Sequence, residues 1–220
     1  MKAHERENKL YLSGKRCGVS IAEEIMFNYL DDLKDKGLKV ADLGGGTGDI
    51  SLLIEDREHK STLYDFSDVA VQIAQENGLD GYVCDLDEGI PADDRFFDIV
   101  WAGDVVEHVF DPLGLISEVS RILKDSGKFL FTVPYDLHMA NRIRSLRGIS
   151  YQEPILKKYG QCKHHTFVSD YLVDFMLKQN NLKIDRSTYI CRIPKTSKQF
   201  KTNMPLKWIA NTMVVQAKKA

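Results

Sequence analysis

Val40-Ala41-Asp42-Leu43-Gly44-Gly45-Gly46-Thr47-Gly48-Asp49 decides the fold of this 220-residue chain. Apolar residues lead through Asp42 into a crowded glycine turn, and Ile50, Leu52, Leu53 and Ile54 follow with a helical pattern. The order is strand, tight loop, helix start. Glycine tolerates positive φ and admits a ligand without a Cβ clash. The first N–H groups of the new helix face that ligand. Moving outward, Ser61 to Ser67 reads as a second strand ending in an acid. Asp65 lies about twenty residues beyond Gly44, the spacing of a ribose-binding carboxylate. Phe66 comes directly after it, and Ser67 is the better cap for the helix that continues through Val69, Ile73 and Ala74.

The glycine run resembles motif I of the class I S-adenosylmethionine (SAM) methyltransferases, D/E-x-G-x-G-x-G, met here by Asp42, Gly44, Gly46 and Gly48. The rival dinucleotide fingerprint G-x-G-x-x-G, started at Gly44, wants a small residue where Asp49 stands. Later segments resemble the same family in order. Gly81 to Asp87 reads as a third strand ending in Asp85, and Phe96 to Gly103 resembles the family's fourth strand. Ile122 to Pro134 resembles its turn and fifth strand, with Asp125 and Ser126 in place of Pro-Gly. The resemblance implies that Asp85 accepts from the adenine amino group and that the Leu86 N–H meets a ring nitrogen. It implies SAM as cofactor, held by Asp42, Gly44, Gly46, Asp65, Phe66, Asp85, Leu86 and Gly103.

Gly103 to Pro112 resembles the E-x-x-E-H segment of two families, the ubiquinone-pathway O-methyltransferases and the enzymes that modify the terminal ribose of small RNAs. That resemblance implies a divalent ion, Mg²⁺ or Mn²⁺, on Asp104, Glu107 and His108, although Asp104 is one methylene shorter than the usual Glu. Many relatives with a similar Val-Glu-His run shape a pocket wall with it instead. His164-His165-Thr166-Phe167 precedes a helix, and His165 is the expected general base, with His108 as a second catalytic candidate. Tyr135, His138, Asn141, Arg142 and Tyr151 are further pocket candidates. The arrangement looks most like small-molecule members, so oxygen of a small acceptor is the expected target. RNA methylation, a non-catalytic SAM-binding protein and an NAD-dependent dehydrogenase are the alternatives.

The expected fold is α/β: a Rossmann-like, seven-stranded, mostly parallel sheet with helices on both faces and an antiparallel last strand. Residues 1–36 read as an N-terminal helical extension and residues 37–220 as the SAM-binding domain, with a variable substrate lid at about 135–166. The net charge of −2 hides an asymmetry, because no acid follows Asp185 while Arg186 to Lys219 are basic. Arg142 to Lys163 is also mostly basic, which suits an anionic acceptor. Tail aromatics for base stacking are few, which argues against nucleic acid. Cys17, Cys84, Cys162 and Cys191 are scattered without metal spacing, the N-terminus is unlike a secretory signal, and no apolar run spans a bilayer. A cytoplasmic location is the expectation. Oligomeric state is not readable from the chain.

Overall fold

The computed structural model describes residues 19–150, 152–159, 165–166, 168–192, 199–202 and 209–220. Helix α1 (Ile21–Asp31) starts at a capping box, in which the Ser20 hydroxyl accepts from the Glu23 N–H and Glu23 accepts from the Ser20 N–H. Strand β1 (Lys39–Leu43) runs into the glycine turn, and α2 (Asp49–Glu55) leaves it. Then follow β2 (Lys60–Asp65), α3 (Asp68–Glu76), β3 (Asp80–Val83) and β4 (Phe97–Ala102). Ser67 caps α3 by accepting from the Ala70 N–H at 3.1 Å, as its position suggests. Helix α4 (Pro112–Ile122) leads into β5 (Leu123–Pro134). Asp125 and Ser126 thus lie inside a strand, at its irregular start, where the register with β4 shifts between Phe97 and Ile99.

The stretch expected to lack periodicity contains two short helices, α5 (Met139–Leu146) and α6 (Gln152–Tyr159). The pattern is hard to see in sequence because α5 interleaves arginines with apolar residues that it does not bury. Helix α7 (Asp170–Gln179), capped by Ser169, precedes β6 (Leu182–Arg192), β7 (Gln199–Thr202) and β8 (Thr212–Lys219).

The strands form one sheet in the order β3-β2-β1-β4-β5-β8-β6-β7. β3, β2, β1, β4 and β5 are mutually parallel, and β8 inserts antiparallel between β5 and β6. The terminal hairpin is therefore as expected. The eighth strand is the short edge strand β7, antiparallel to β6; four residues inside the basic tail give too little alternation to announce it. Alternate strand residues face opposite layers. Val40, Ile99, Trp101 and Leu130 pack with α1 and α2, while Ala41, Val100, Ala102, Phe129 and Phe131 pack with α4 and α7. Between β1 and β4 the chain reverses its direction of travel across the sheet. In open α/β sheets ligands bind at that switch, outside the carboxyl ends of the strands.

Candidate functional site

The glycine turn sits at this switch. Gly44 (φ +67°), Gly46 (φ +56°) and Gly48 (φ +85°) all adopt left-handed backbone, which a side chain would strain. At Gly44 a Cβ would also lie 2.7 Å from Val105 Cγ2. The turn, with Asp42 and Gly103, lines a cavity of 180 Å³ that also includes Glu23, Asp49 and Trp101. Thus Asp42, Gly44, Gly46 and Gly103 are brought together.

Asp65 is tied to the same turn. Its carboxylate accepts from the Gly46 N–H at 2.9 Å and from the Ser67 N–H at 2.8 Å. The Cys84 N–H donates to the Asp65 carbonyl at 2.9 Å, which carries β3 alongside and places Asp85 and Leu86 just past its end. Asp85 accepts from the Asp87 N–H at 3.0 Å, and Leu86 packs on the main core. Phe66 is exposed beside Asp65. These four residues lie outside the small cavity, along the neighbouring strand ends.

Asp42 is buried, and its carboxylate accepts from the Ser51 hydroxyl at 2.7 Å, itself bonded to Ser61 at 3.0 Å. Burial pushes its pKa up to about 7; Ser51 opposes this, and the Asp65 and Glu23 charges add to it. Glu23 is a residue that sequence reasoning missed. The capping-box spacing was visible, but only the packing of α1 on the sheet brings this acid to the cavity.

The expected metal set does not fit an ion. Asp104 Oδ1 accepts from the Thr132 hydroxyl at 2.6 Å, and the Asp104 N–H donates back to Thr132 at 2.8 Å. Glu107 is 2% exposed with no partner for Oε2, and burial, then the Asp104 charge, pushes its pKa up to about 8. His108 Nε2 lies 4.0 Å from Glu107 Oε1. Among the described residues no three such side chains converge on a possible ion. The physical reason is local. Asp104 sits in a turn with φ +53°, and its carboxylate is directed to Thr132.

His165 donates its backbone N–H to the Glu107 carbonyl at 2.8 Å, and its ring lies on Phe110 with centroids 4.3 Å apart. His165 is thus tied to the backbone of Glu107, while His108 approaches its carboxyl. Val168 straps the next residues down: its N–H donates to Asp136 Oδ2 at 2.8 Å and its carbonyl accepts from the Asp136 N–H at 3.1 Å. Tyr135 is a core strut rather than a pocket residue, being 1% exposed with its hydroxyl donated to Asp170 at 3.0 Å. His138 is the N-cap residue of α5, Asn141 is buried beneath it, and Arg142 is exposed. His164 and Tyr151 lie outside the described residues, as do Cys17 and Cys162. Cys84 and Cys191 are buried free thiols.

A family model for a methyltransferase domain matches residues 41–131. The sarcosine/dimethylglycine N-methyltransferase of Halorhodospira halochloris is 38% identical over 66 residues, 29% of this chain and 24% of that protein. The ubiquinone/menaquinone biosynthesis C-methyltransferase UbiE of Shewanella piezotolerans is 34% identical over 104 residues, 43% of this chain and 41% of that one. The chain spans less than half the length of these curated relatives. Among solved structures, the S-adenosylmethionine dependent methyltransferase from Mesorhizobium loti matches with a TM-score of 0.69 at 19% identity, covering 91% of this chain and 98% of its own. That likeness is one of fold. Residues 41–131 thus match a methyltransferase domain, in agreement with the glycine turn and the sheet order.

Proposed function

We propose that the chain transfers the methyl group of SAM to an oxygen of a small-molecule acceptor. The observation that carries the cofactor reading is the charge of the cavity at the switch point. Glu23, Asp42 and Asp49 line it together with the glycine turn, and among the described residues no basic side chain does. An acidic lining attracts the cationic methionine end of SAM and repels the pyrophosphate of a dinucleotide. Asp65 then serves the ribose hydroxyls, Phe66 lies against the nucleoside, and Asp85 and Leu86 serve the adenine edge. Gly44, Gly46 and Gly103 give the backbone close approach.

When bound, SAM supplies an electrophilic methyl carbon on a positive sulfur. The work left to the protein is to align a nucleophile and to exclude water. An acceptor hydroxyl also needs its proton removed, and the role of base is assigned to His165; its backbone bond to Glu107 and its ring contact with Phe110 support that reading. His108 is the second candidate on the same turn. No divalent ion is assigned this role, since among the described residues no three candidate ligands converge on one. Arg142, Arg144 and Arg147 beside this end of the sheet favour an anionic acceptor. A second reading, transfer to nitrogen or carbon, is supported by the relatives named above.

The test is a screen of hydroxylated carboxylates and phosphates with SAM, following release of S-adenosylhomocysteine and locating the new methyl group by NMR. The proposal expects an O-methyl product. It also expects His165→Ala to lower kcat about 100-fold, with KM for SAM unchanged. A methyl group found on nitrogen or carbon, or full turnover in His165→Ala, rejects it.

A further inference from the structure

An amphipathic helix normally turns its apolar residues inward. Helix α5 does the reverse. Its buried residue is Asn141, whose Nδ2 donates to the Asp136 carbonyl at 3.0 Å. Met139, Ile143 and Leu146, spaced i, i+4, i+7 and so on one face, are 39%, 42% and 89% exposed. Arg142 lies to one side of this stripe and Arg147, at the helix end, to the other. Arg142 Nε donates to the Leu137 carbonyl at 2.7 Å and Arg144 to Asn141 Oδ1 at 2.8 Å, so both guanidinium groups are held at the helix with donors to spare. No acid occurs between Asp136 and Glu153.

We propose that the outward stripe of α5, with its flanking arginines, is a docking surface for an anionic lipid bilayer. Aliphatic side chains entering the acyl boundary while arginines meet lipid phosphates is the way interfacial helices bind. A second copy of the chain fits less well, because a two-fold contact at this stripe would bring like-charged arginines together. RNA fits less well too, since the stripe is aliphatic and offers no ring for a base to stack on. The helix follows the carboxyl end of β5, so the docking face lies on the rim that carries the candidate site. Phe110 and Tyr171, both exposed, are on the same rim.

The experiment is co-sedimentation of the full chain with vesicles of phosphatidylglycerol and phosphatidylcholine, against vesicles of phosphatidylcholine alone. The readout needs no methyl transfer, so it stands or falls apart from the enzymatic proposal. Binding to the anionic vesicles is expected, falling with salt, with phosphatidylcholine alone bound about tenfold more weakly. Leu146→Glu and Arg147→Glu should each weaken binding about tenfold, with circular dichroism and thermal shift by S-adenosylhomocysteine unchanged. Absence of binding to anionic vesicles at low salt overturns the proposal, as does full binding by Leu146→Glu. Sedimentation of the vesicle-free protein as a dimer that Leu146→Glu dissociates assigns the stripe to a second copy and also overturns it.

Discussion

Asp42 couples the sequence motif to the chemistry of the site. Its side chain is anchored by Ser51 and enclosed, so its carboxyl is held up at about 7. A cation arriving in the cavity favours the carboxylate, and binding below that pKa must expel the proton. Affinity for SAM should therefore climb from about pH 6 and level off above about pH 7, by up to about tenfold per pH unit. Calorimetry in buffers of differing ionisation heat checks this, and Asp42→Asn should flatten the profile. Glu107 gives the opposite kind of test, on stability. Its folded pKa is raised, so between about 4.5 and about 8 the folded state binds more protons than the unfolded one, and stability falls as pH rises through that window. Glu107→Gln has no charge to bury. In urea melts it should match wild type near pH 4 and exceed it by on the order of 3 kcal/mol near pH 9. Equal stability at both pH values would refute the burial argument. The glycines and the strand-end acids were legible in sequence because their spacing along the chain fixes their place at strand ends. The metal set was not, because a resemblance to a ligand motif does not reveal that Asp104 turns its carboxylate to Thr132.

At the scale of elements, the link between β1 and α2 depends on backbone that only glycine adopts easily. Gly48 is the N-cap residue of α2, with φ +85°, and a Cβ there would come 2.3 Å from Leu79 Cδ1. Gly37 is similarly left-handed, φ +69°, but has nothing within 4 Å of a Cβ. The pair separates conformational strain from collision. Gly37→Ala should cost about 1 kcal/mol, and Gly48→Ala about 3 kcal/mol or more, measured by chemical denaturation. Equal costs would mean that the Leu79 contact relaxes freely. The alternation of strands and helices up to Pro134 was readable because each helix there buries one apolar face at regular spacing. Helices α5 and α6 were not, since the readable signal is an inward apolar stripe and α5 points its stripe outward. Strand β7 escaped for a different reason, being a four-residue edge.

Across the whole molecule, charge and topology sort to the same end of the sheet. The small cavity at the β1–β4 switch is acidic, while helices α5 and α6 are basic. One end of the sheet thus sets an acidic cavity next to a positive field. Glu23 shows why part of this was hidden from sequence: an acid from the first described helix reaches the cavity only because α1 lies across the sheet, with Phe27 against Trp101 at 4.8 Å. The central claim is that this rim holds SAM through the glycine turn and Asp65. Its most direct test is calorimetric titration of S-adenosylhomocysteine into wild type and Asp65→Asn, with NADH as the competing ligand. The account predicts one-to-one binding to wild type, about tenfold or more weaker in Asp65→Asn, and no heat from NADH. Binding that Asp65→Asn leaves intact, or a preference for NADH, would contradict it.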